Sequence, residues 1–90
     1  MKISEDFLEL ARSLPLRVEK DAVDAYMTIT DLFCIAGRNK AMIATAAQAA
    51  LDILPQMREK DFDRADKTAI FIGQQLGSHC VSLAMAAPLH

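Results

Sequence analysis

The chain has 90 residues, 52% of them hydrophobic, with four Phe, one Tyr and no Trp. That length allows one domain, marginal in stability without a staple or a partner. The net charge of −2 and the dispersed basic residues offer no clustered positive surface for nucleic acid or an anionic membrane, and Cys34 and Cys80 are too few for a disulfide framework.

Three Pro and three Gly punctuate the chain sparsely, and no stretch alternates with period two, so the expected fold class is all-α. The opening MKISEDFLEL places acids at Glu5 and Asp6 and lacks the continuous apolar core of a secretory signal. Ser4 is a good N-cap for a short first helix, with Glu5 and Asp6 at the positive end of its dipole. Ile3 and Leu8 stand at the positions of a hydrophobic staple. Phe7, Leu10, Ala11 and Leu14 supply the buried face, and Pro15 is expected to end the helix at Leu14.

From Ala22 onward, apolar residues recur every seventh position: Ala22, Ile29, Ala36, Ile43, Ala50, Met57. A companion series runs Tyr26, Phe33, Lys40, Ala47, Leu54, while Asp24, Asp31, Arg38, Thr45, Asp52 and Glu59 line the opposite face. The register survives across Gly37, which favours one long helix over roughly residues 18–54. The competing reading is a break at AGRNK, with Gly37 closing one helix and Asn39 capping the next. Pro55 is expected to kink or end the helix, leaving QMREK as a trailing turn. Asp61 or Asp63 then caps a last helix over about residues 64–87.

Residues 68–90 contain no Lys, Arg, Asp or Glu. A membrane span is not expected, because Gln74, Gln75, Ser78, His79 and Ser82 would lie at its centre. Packing is the better explanation. Ala65, Ala69, Gly73 and Gly77 recur every four residues, and Gly costs roughly 1 kcal/mol against Ala in a helix interior. The long helix has its own run of small residues, AMIATAAQAA. A turn at residues 60–62 sets Gly73 opposite Ala49 and Gly77 opposite Ala44 to Ala46. These matches predict an antiparallel helical hairpin in which Ala69, Gly73 and Gly77 press closely on Ala47 and Ala50. Phe33, Ile70, Phe71, Val81 and Met85 remain as surplus apolar surface, which implies a homodimer or a higher even oligomer.

Chemistry-bearing constellations are sparse. His79 and Cys80 are helix neighbours about 100° apart, a poor geometry for a Cys–His pair. Cys34, His79, Cys80 and His90 include no CxxC, HxxxH or ExxH spacing that would set two metal ligands on one helical face. DFDRAD lacks the glycine and the acidic twelfth residue of a calcium loop. The sequence contains no glycine-rich phosphate loop and no serine-centred nucleophile motif. The expectation is a small, non-enzymatic, cytoplasmic protein with no cofactor, metal, nucleic-acid or membrane partner. It would bind itself and another protein, as a regulator, antiactivator or chaperone does. The rival reading is a small-ligand- or metal-binding bundle that uses His79 and Cys80. A second rival is a DNA-binding regulator, against which the acidic balance counts.

Overall fold

Ser4 starts the first helix as its sequence implies: the Ser4 hydroxyl oxygen accepts from the Phe7 N–H at 3.2 Å. The structure, a computed structural model, describes the backbone of residues 3–86 and the side chains of residues 3–77. Among the described residues the chain forms five α-helices and no strand: α1 Glu5–Arg12, α2 Leu14–Lys20, α3 Ala22–Ala36, α4 Lys40–Lys60 and α5 Phe62–Ala86. The all-α expectation is met.

Three local expectations need correction. The first concerns Pro15, which does not end α1 at Leu14. α1 stops at Arg12, and Pro15 sits in the first turn of a separate helix, α2. A first turn needs no N–H from that position, and the fixed φ of proline suits it. Ser13 joins the two helices. Its N–H donates to the carbonyls of Glu9 and Leu10, its hydroxyl donates to Leu10 O at 2.7 Å, and Arg17 Nε donates to Ser13 Oγ. Residues 14–20 therefore do not begin a long helix. Leu14 and Val18 from this short element are among the most deeply buried side chains.

The second correction concerns continuity. Helix does not run through residues 18–54. Asp21 interrupts it with extended backbone, its side chain accepting from the Val23 N–H at 2.9 Å. Gly37 interrupts it again at φ 55°, ψ −112°, a conformation that side-chain-bearing residues avoid. Asn39 restarts it, with Oδ1 accepting from Met42 N–H at 3.1 Å and the Asn39 N–H donating to Ala36 O at 2.8 Å. The seven-residue line is nonetheless real: Ala22, Ile29, Ala36, Ile43, Ala50 and Met57 are all buried. α3 and α4 each present their own part of that line to one core. The short connection through Gly37, Arg38 and Asn39 happens to preserve its phase. Periodicity reports which face is buried; it does not distinguish one helix from two in phase.

The third correction concerns Pro55, which lies inside α4 rather than ending it. The helix forgoes one hydrogen bond, to the carbonyl of Leu51, on an outward face where Leu51 and Pro55 are both exposed. Proline in a helix interior costs about 3 kcal/mol. The last turn of α4 is held by the full burial of Met57 and by Lys60, whose ammonium donates to the Glu19 carbonyl at the end of α2.

Asp61 closes α4 and opens α5. Its N–H donates to Met57 O at 2.8 Å, and its carboxylate accepts from Arg64 N–H at 3.0 Å. α5 packs most extensively on α4, while α1 and α2 cover α3 and α4 from the other side. The core between these layers gathers Phe7, Leu14, Val18, Ile29, Leu32 and Met57. Thr68 is also fully buried. Its hydroxyl donates to Arg64 O at 2.6 Å and lies 3.3 Å from Met57 Sδ, which anchors α5 to α4.

Candidate interaction surface

The face that α5 turns inward is Ala65, Thr68 and Ile72, spaced three and four residues apart as one helical face requires. The expected small-residue stripe leaves this face. Each four-residue step advances about 40° beyond a full turn, so the stripe winds outward along the helix. Ala65 is buried, Ala69 is half-buried, and Gly73 and Gly77 are exposed. A Cβ built at Gly73 or Gly77 would meet nothing within 4 Å. Within the chain, then, these glycines do not serve a close helix approach. On the facing helix Ala47 and Ala50 are buried, alongside Ala46.

The residues expected to form an interface separate into three groups. Phe33 is only 5% exposed and makes an edge-to-face contact with Phe71, ring centroids 5.5 Å apart at 78°. Tyr26 meets the same Phe71 ring at 6.0 Å and 68°. Phe33 is thus buried inside the chain, which corrects its assignment as free surface, whereas Phe71 is half-buried and keeps part of its surface outward. Ile70 is 55% exposed and remains available. Val81 and Met85, like His79 and Cys80, have side chains outside the described residues.

The outward apolar surface that the sequence reading missed lies on α3. Its buried face contains Ala22, Ala25, Ile29, Leu32, Phe33 and Ala36. On the opposite side Val23, Met27, Thr30 and Cys34 fall within about 60° of one another. Met27 is 58% exposed, and Val23 and Cys34 are exposed with it. Thr30 adds no polar demand, since its hydroxyl already donates to Tyr26 O at 3.0 Å. Ile35 is also exposed, but it lies about 80° round the helix from Met27, with the exposed Asp31 between them. α3 contains no Lys or Arg, and its only charges are Asp24 and Asp31. Asp24 is paired with Arg17 at 3.1 Å. The available signal was the absence of any cation across fifteen helical residues, because a surface helix ordinarily alternates its apolar stripe with charge.

Cations elsewhere cover aromatic rings. The Arg64 guanidinium lies 5.5 Å from the Tyr26 ring centroid and that of Arg58 5.5 Å from the Phe62 centroid. Arg64 Nε is buried without a hydrogen-bond partner, so the Tyr26 ring face is its main compensation. Between α1 and α4 lies an open hollow of about 500 Å³, with Leu8, Ala11, Ala49 and Ile53 among its apolar lining and Arg12, Gln48 and Asp52 among its polar lining. The Gln48 amide donates to Asp52 at 2.7 Å. Among the described residues no three His, Cys, Asp or Glu side chains gather as metal ligands, and no helix is long and apolar enough to cross a membrane.

Comparison with family models, curated proteins and solved structures finds no match for this chain.

Proposed function

We propose that this chain is a small, non-enzymatic protein–protein interaction module of the cytoplasm. It associates with itself through apolar helix surface, and it engages another protein in a regulatory, antiactivating or chaperone-like role. The antiparallel pairing of α4 with α5 serves as the scaffold. The observation that supports this reading is the two-sided apolar character of α3. One side is buried in the core, and the other leaves Val23, Met27 and Cys34 exposed. A helix apolar on both sides is ordinarily covered on both sides, and contiguous exposed apolar surface marks association sites.

Light scattering across a wide concentration range tests the proposal. The expected result is a species of twice the 9.9 kDa chain mass that dissociates on dilution. A mass of one chain at every concentration would refute self-association.

A further inference from the structure

Beyond the surface association proposed above, we infer that residues 37–39 are a switch hinge. When α3 and α4 straighten into one helix over residues 22–60, the chain exchanges its α1–α3 half with that of a second copy. The observation that carries this is the phase kept across the break. Counted at about 100° per residue through residues 37–39, the centres of the buried faces of α3 and α4 lie only about 45° apart. A straight helix therefore presents Ala22, Ile29, Ala36, Ile43, Ala50 and Met57 on one side, and Lys40 is the only charge on that side. The seven-residue spacing suits a helix that winds around a second one. Two helices joined by a loop need no such agreement. A long helix lying antiparallel to its own copy requires it, because its two halves must then face the same neighbour.

Exchange conserves the core. α1, α2 and α3 stay together, as do α4 and α5, and the packing between these two groups passes from within one chain to between two. The two forms then differ at the hinge and in the freedom lost on association. A connection this short between packed helices is the kind at which exchange occurs. The closed hinge holds Gly37 at φ 55°, ψ −112°. The Asn39 N–H donates to Ala36 O at 2.8 Å, and Asn39 Oδ1 caps the Met42 N–H at 3.1 Å. Straightening gives up these contacts and supplies the N–H groups of residues 38–42 with ordinary helical partners. No proline between Pro15 and Pro55 forbids it. Two terms oppose it. Glycine has a poor helix propensity, and Arg38 and Lys40 of both chains bring four cations together where the long helices cross. Exchange is therefore favoured by salt and by high protein concentration, and it is slow, because the core must open first.

Two hinge variants and one cross-link test the inference, all on full-length protein. Gly37→Ala strains the closed hinge and favours the straight helix, so the association constant is expected to rise at least about a hundredfold. Lys40→Pro does the reverse. Lys40 is the first residue of α4, where proline fits, and Asn39 before it already has the extended backbone that proline imposes, φ −76° and ψ 109°. Inside a continuous helix the same proline loses a hydrogen bond and clashes with the Ala36 carbonyl. This variant is expected to fold and to exchange little. The cross-link uses Cys34→Ser and Cys80→Ser as background, with Glu19→Cys and Lys60→Cys placing thiols where α2 and α4 touch. A short bismaleimide joins them within one chain in the closed form and between two chains after exchange. Protein with the native hinge, equilibrated at high concentration and then diluted, is expected to give covalent dimer, with more from Gly37→Ala and little from Lys40→Pro. Links confined to single chains, with both the native hinge and Gly37→Ala, would overturn the exchange; if light scattering still reports twice the chain mass before dilution, the surface association stands. Covalent dimer from Lys40→Pro at the native-hinge level would also overturn it. Covalent dimer from the native hinge, with Lys40→Pro a single chain at every concentration, supports the exchange and refutes association through the surface.

Discussion

Replacing Gly73 with Ala is expected to stabilise the protein, and the sign of the change is what matters. Gly73 lies in the interior of α5, exposed, and a Cβ there meets no atom within 4 Å. The overpacking penalty is therefore absent. What remains is the helix propensity difference, roughly 0.8–1 kcal/mol in favour of Ala, arising largely from the smaller conformational freedom of Ala in the unfolded chain. A domain of this size has a total stability on the order of 5–13 kcal/mol, so the gain is measurable. It corresponds to a rise in Tm of roughly 4–8 °C per kcal/mol. Thermal melts followed by far-UV circular dichroism read it, at fixed protein concentration because self-association couples to stability. Ala50→Leu is the counterpart on the facing helix. It also enlarges a small residue, but at a fully buried site, and is expected to cost about 1–3 kcal/mol. A Gly73→Ala protein that melts below wild type would refute this reasoning. Something, in this chain or a second copy, would then have to press on the glycine face.

Gly37→Ala places a Cβ at φ 55°, ψ −112° and is expected to cost about 1–3 kcal/mol; Arg38→Ala beside it, exposed, should change the Tm little. Met57→Ala removes a fully buried side chain that also faces the Thr68 hydroxyl, and chemical denaturation should report a loss of about 2–5 kcal/mol. Cys34, free and exposed, is expected to react with a maleimide in dilute native protein. A thiol that reacts only after denaturation would refute that exposure.

The sequence alone determined what depends on neighbours in the chain. Ser4, Asn39 and Asp61 cap helices because each side chain reaches an N–H three residues ahead, a contact that distant residues need not support. The line from Ala22 to Met57 named six buried residues, because burial of a helix face is written in its own spacing. Tertiary structure decided what depends on phase between elements. The break at Gly37 was legible as the competing reading, through Gly37 and the Asn39 cap, but periodicity argued against it because two helices facing one core can share a register. α2 was hidden because seven residues carrying Leu14 and Val18 are too few to display a period. The rotation of α5 was not legible either. With few charges to mark an outer side, both the Ala65–Ala69–Gly73 line and the Ala65–Thr68–Ile72 line satisfied helical spacing. The shape of α4 and the room for Thr68 beside Met57 selected the second. The outward face of α3 followed from the same cause. A helix apolar on two sides does not announce which side its own chain will cover, and that choice belongs to the packing of α1, α2 and α4 around it.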